Sequence, residues 1–168
     1  MSAAEEIGSR ASARVVDQRA DFESAYRAHY ATLVRLAAMT TGSPALAEEI
    51  VQDVFIDYYR HAASVVEPVR WLRRAVVNRT VSWTRRQILE RRHRGMHQED
   101  EWHHLNPEAF AVREVLRRLK PRHRAAVFLR YYLDLPDAEI AEALGCRPAT
   151  VRSLLHRGLT MMRESFRD

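Results

Sequence analysis

Cysteine occurs once in the 168 residues, at Cys146. A lone thiol excludes an internal disulfide and any zinc site built on two cysteines, and it fits a reducing compartment. Lysine is nearly absent too. Of the 27 basic residues only Lys120 is lysine, so the positive charge is almost all guanidinium and arginine identity alone decides little. No apolar run approaches the roughly 20 residues that span a bilayer, and the polar first twenty residues predict neither a signal peptide nor an anchor. Strand-like alternation and hairpin signals are also missing, which leaves an all-α chain. What remains is a hydrophobic content of 46%, enough for packed cores, and a formal net charge of +5 that favours a polyanionic partner. The length accommodates one medium domain or two small ones.

The most specific segment is Asp137 to Arg157, reading DAEIAEALGCRPATVRSLLHR. Ile140, Ala141 and Leu144 share one face of a short helix for which Asp137 is the expected cap, and Gly145 supplies the left-handed residue that ends it. Pro148 suits the first position of a second helix, whose buried face is Val151, Leu154 and Leu155. This is the pattern of a helix-turn-helix, with Ala141 small enough to let the helices cross and Cys146 packing in the turn. The opposite face carries Arg147, Pro148, Ala149, Thr150, Arg152, Ser153, His156 and Arg157: small, polar or basic, with no acid. Such a face suits a DNA major groove.

Upstream, residues 1–20 lack periodicity and read as a flexible tail. Helical spacing starts at Asp21, a candidate N-cap, and lasts to Gly42; a second helix restarts at Ser43-Pro44. Its apolar stripe is Leu46, Ile50, Val54, Phe55 and Tyr58, while Glu48, Glu49, Gln52, Asp53 and Asp57 make an acidic face for a basic partner. A third helix follows Pro68, with Val69, Leu72, Val76, Thr80 and Trp83 about a turn apart. Between Arg70 and Arg94 it carries nine arginines against the single acid Glu90. So many like charges repel along a helix, and with Trp71 and Trp83 among them they favour an external anion on which aromatics can stack. Residues 95–108 break the pattern and read as a flexible linker. Their His97, His103 and His104 with Glu99, Asp100 and Glu101 match no zinc spacing, so neither a metal nor another cofactor is expected. Helical spacing resumes through Val112, Val115, Leu116 and Leu119, then from Pro121 through Tyr132. The expected division is a tail at 1–20, a helical domain at 21–94, the linker, and a helix-turn-helix domain at 109–168.

An acidic helix, an arginine-tryptophan helix and a C-terminal helix-turn-helix, in that order, resemble the extracytoplasmic-function (group 4) sigma factors of the sigma-70 family. Three stretches carry the likeness: EEIVQDVFIDYY (48–59), PVRWLRRAVVNRTVSWTRR (68–86) and LKPRHRAAVFLRYYLDLPDAEIAEALGCRPATVRSLLHRGL (119–159). The first is similar to the helix that docks on the polymerase clamp, implying docking through Glu49, Gln52, Asp53 and Asp57. The second is similar to the promoter-melting region, with Trp71-Leu72, Asn78 and the Arg85-Arg86 pair matching. The third is similar to the upstream-element domain. Three positions depart from the family pattern: Ser82 in place of Asp, Ala149 in place of Gly, and Pro136 in place of Ser or Thr. Loss of the carboxylate at 82 bears on local packing and promoter preference.

The resemblance implies a cytoplasmic, non-enzymatic subunit that partners the clamp and flap of core RNA polymerase and promoter DNA, and it leaves room for an anti-sigma factor. It places Arg147 to Arg157 at the minus-thirty-five element. Trp71, Arg74, Asn78, Arg79, Trp83, Arg85 and Arg86 fall at the minus-ten element, holding a non-template strand whose flipped base costs a few kcal/mol of unstacking. A stand-alone helix-turn-helix regulator is the alternative, though it leaves the acidic helix without a purpose. A hydrolase built on Glu48, Glu49, Asp53 and His61 has no rigid pocket implied by the sequence.

Overall fold

The computed structural model describes residues 3–94 and 114–165, and all regular structure among them is helical. Helix α1 (Ala3–Thr41) is followed by α2 (Pro44–His61), a 3-10 turn (Ala62–Ser64) and α3 (Pro68–Arg94). Residues 114–118 are helical, and then come α4 (Pro121–Tyr131), α5 (Asp137–Leu144) and α6 (Pro148–Ser165). The linker at 95–108, with its histidines and acids, and Val112 lie outside the described residues.

The first three helices pack against one another. Leu33, Leu36 and Ala37 from α1 meet Ala47, Val51, Val54, Phe55 and Tyr58 from α2, all buried and recurring at helical spacing. From α3 come Leu72, Val76 and Val77. Fully burying each large aliphatic side chain stabilises the group by roughly 1.5–3 kcal/mol. Four threonines are buried as well, and each returns its hydroxyl to the helix: Thr40 to the Leu36 carbonyl at 2.8 Å, Thr41 to Ala37 at 2.8 Å, Thr80 to Val76 at 2.9 Å and Thr84 to Thr80 at 2.8 Å. The inward line of α3 therefore runs through Thr80 to Thr84, and Trp83, expected on it, is only half-buried. Gly42, at φ +83°, lets the chain reverse after α1. Ser43 caps α2, its hydroxyl accepting from the Leu46 amide at 3.4 Å.

Two expectations about the N-terminus are corrected. Helix α1 begins at Ala3, where the missing periodicity predicts a tail, and Asp21 lies inside the helix instead of capping it. Segment 3–20 is rich in Ala, Glu and Arg. These favour a helix through backbone propensity alone, which a search for an apolar stripe does not register.

The C-terminal helices close on the N-terminal group. Helix α4 lies on α1 and α5 lies on α3, so one contiguous cluster of buried apolar residues runs through both halves. Polar ties cross the same seam: Arg73 to Glu139 at 3.3 Å, Arg70 to Glu142 at 3.7 Å, and Arg35 donating to the Tyr132 hydroxyl at 2.9 Å. Being partly exposed, each ion pair adds at most about 1 kcal/mol, so apolar packing dominates the closure. Arg124 of α4 is buried beside the end of α1, where a side-chain carbon on Gly42 would lie 4.0 Å from its guanidinium. Burial, then the Arg117 charge, pushes its pKa down to about 10.

Candidate nucleic-acid interface

The helix-turn-helix forms as its residues dictate. Gly145 adopts φ 58°, ψ 47°, the left-handed conformation that costs glycine least, and the Cys146 amide bonds back to the Ala141 carbonyl at 2.9 Å. Ile140, Ala141, Val151 and Leu155 are buried at the crossing, Leu154 half-buried beside them. One expectation needs correcting. Pro136, not Asp137, occupies the N-cap position, and Asp137 is the first helical residue. Its carboxylate is drawn away from the helix amides by two guanidiniums: it pairs with Arg130 and sits 3.9 Å from Arg152.

On α6 and the turn before it, Arg147, Pro148, Ala149, Thr150, Arg152, Ser153, His156 and Arg157 are all exposed. Ala149, Thr150, Ser153, Leu154 and Arg157 line a shallow groove along that face. Apart from the long contact of Arg152 to Asp137, no carboxylate neutralises its arginines among the described residues. The face therefore offers free guanidiniums, the groups that fork onto guanine edges or phosphates.

The residues expected to contact a melted strand separate into two sets on α3. Arg74, Asn78, Arg85 and Arg86 are exposed, and the three arginines pair with no carboxylate among the described residues. Arg79 is turned the other way: it pairs with Asp57 and lies 3.4 Å from Asp53, tying α3 to α2. Its charge is thus met by carboxylates of α2, unlike those of Arg74, Arg85 and Arg86 among the described residues. Trp71 is half-buried at the edge of the core, 6.0 Å from the Tyr58 ring.

On α2, Glu49, Gln52 and Asp53 are exposed as expected, and Asp57 is half-buried between Arg79 and Arg60, the latter at 3.5 Å. Sequence reasoning missed Ile56 and Tyr59, which stand 49% and 46% exposed on this helix. Ile56 is an apolar residue off the inward stripe, and that displacement was the available signal. Together these residues form a patch with an apolar centre and acidic border. No group of three or more potential metal ligands occurs among the described residues.

Comparison with known proteins gives the family. Residues 25–94 match the family model described as Sigma-70 region 2, and residues 109–162 match that described as Sigma-70, region 4. The ECF RNA polymerase sigma factor SigM of Mycobacterium tuberculosis is 30% identical over 149 residues, covering 84% of this chain and 74% of that protein. The chain belongs to the sigma-70 family, in its extracytoplasmic-function branch. As a sigma factor it binds core RNA polymerase and directs it to promoters for initiation. It is also similar to the RNA polymerase sigma-E factor of Streptomyces coelicolor, 28% identical over 87% of this chain and 86% of that one. The solved sigma factor RpoE of Bartonella quintana, in complex with the anti-sigma factor NepR, shares the fold. Its TM-score is 0.73 at 20% identity, over 88% of this chain and 97% of that one. No described helix is long and apolar enough to cross a membrane.

Proposed function

We propose that this sigma factor divides its work among three surfaces. Residues 21–94 form the domain that docks on the polymerase clamp through Glu49, Gln52 and Asp53, with Ile56 and Tyr59 supplying the apolar centre. The same domain holds the minus-ten element on Arg74, Asn78, Arg85 and Arg86, with Trp71 and Trp83 beside them. Residues 109–168 form the second DNA-binding domain, meeting the polymerase flap and placing Arg147 to Arg157 in the major groove of the minus-thirty-five element. There Arg152 and Arg157 read guanine or clamp phosphate while Thr150 and Ser153 contact backbone or base edges. Two modest DNA sites on one chain gain from effective concentration.

The observation that carries this reading is the segregation of charge on the surface. Exposed Glu48 and Glu49 on α2, Arg74, Arg85 and Arg86 on α3, and Arg157 on α6 form no ion pair among the described residues. The sigma factor acts without catalytic chemistry of its own, in the cytoplasm, and an anti-sigma protein is a further partner compatible with it.

Glu49→Lys tests the docking face, because Glu49 is exposed and forms no ion pair among the described residues. We expect weaker association with core polymerase and unchanged helix content. Undiminished core affinity in a pull-down removes the assignment of that face.

A further inference from the structure

A groove of about 320 Å³ lies between the start of α4 and the second half of α6, lined by Lys120, His123, His156, Arg157, Thr160 and Met161. None of these is acidic. Gly158 makes the approach of the two helices: a side-chain carbon there would lie 3.3 Å from Val127 and 3.7 Å from the His123 β-carbon. The His123 Nδ1 is buried and has no hydrogen-bond partner among the described residues. Burial first, and then the charges of Lys120, Arg157 and Arg122, push the imidazole below its ordinary pKa. Arg122 itself donates to the Leu144 carbonyl at 2.8 Å. Positive charge has been gathered here with no carboxylate to meet it among the described residues. Arg157 also borders the groove on the recognition face.

We propose that this groove is a second, sequence-independent phosphate site, in which Lys120, His123 and Arg157 together hold one phosphodiester of the promoter backbone beside the recognition helix. The inference rests on the reading that α6 enters the major groove. A backbone leaving that face meets Arg157 first and the groove next. Because phosphate stabilises the protonated imidazole, binding takes up a proton, and affinity rises as pH falls from 8 to 6.

The test uses holoenzyme, reconstituted from core polymerase and the full chain, binding a duplex that carries the upstream element between 50 and 200 mM salt. The ratio of Lys120→Ala to wild-type affinity cancels the contacts of the core enzyme. On logarithmic axes this ratio should rise with salt with a slope of about 0.9, the value for one lost phosphate. The same slope is expected on unrelated sequence. For His123→Gln, the ratio of wild-type to variant affinity should grow from pH 8 to pH 6, with about threefold as the ceiling for a shift of about half a pKa unit on binding.

Arg152→Ala is the control. If it weakens binding while Lys120→Ala shows zero slope and His123→Gln a flat pH ratio, the phosphate site is wrong and the major-groove reading stands. If Arg152→Ala is silent too, that reading fails with it. A Lys120→Ala protein that loses core association with an unchanged salt slope assigns the groove to an acidic protein surface instead, and overturns the proposal.

Discussion

Helices α3 and α6 are both rich in arginine, yet they use it differently. On α3, Arg70, Arg73 and Arg79 are engaged by Glu142, Glu139, Asp53 and Asp57, leaving Arg74, Arg85 and Arg86 without carboxylate partners among the described residues. On α6, among the described residues, only Arg152 has an acidic neighbour, at 3.9 Å and with its side chain 71% exposed. Charge count therefore overstates the anion-binding surface of α3 and describes that of α6 well. What separates them is what packs nearby: α3 lies between two helices that carry acids, whereas the outer face of α6 meets only Asp137 among the described residues.

The largest test of this contrast is Arg152→Ala, expected to lower affinity for the upstream element by about 1–3 kcal/mol if the guanidinium reads a base. Equal losses on matched and scrambled elements, measured by competition binding, would reduce Arg152 to a phosphate contact. Next comes Arg85→Ala with Arg86→Ala. Removing two free charges from α3 should flatten the salt dependence of open-complex formation by about 0.7 for each single-strand phosphate lost. An unaltered slope places the melted strand elsewhere.

Arg79→Gln should behave in the opposite way, leaving that salt dependence intact while costing up to about 1 kcal/mol of thermal stability, as befits half-exposed pairs. If it disturbs DNA and not stability, the distinction drawn on α3 collapses. The smallest effect concerns His29, whose pKa is lowered by burial and then by the Arg73 charge. The unfolded chain binds a proton that the folded one resists. Its contribution is complete above the ordinary histidine pKa and is lost as pH falls towards the folded value. His29→Gln should flatten the decline of melting temperature below about pH 6.5.

Much of this was legible in the chain itself. Period-3.6 patterning placed the bodies of α2, α4, α5 and α6, and Gly145 and Pro148 marked the turn because only one conformation suits each of them there. Boundaries were harder: the extension of α1 to Ala3 rests on propensity without amphipathicity, and Asp137 lost the cap to competing arginines. The exposed face of α6 could be read directly because its small, polar and basic residues stand exposed among the described residues. Arg79 could not be separated from Arg74, Arg85 and Arg86 by composition, since its partners Asp53 and Asp57 stand on a different helix, and only the packing of α3 against α2 brings them within reach.

The seam between the halves has a consequence for how this protein responds to ions. Arg70 and Arg73 hold Glu142 and Glu139 across it, and a nucleic acid competing for those guanidiniums must displace an internal anion before releasing a counterion of its own. Added salt then weakens the clasp and the complex together. A gentle ionic-strength dependence of promoter binding would accordingly report the difference between two screened attractions, and rank this chain's grip on DNA against its grip on itself.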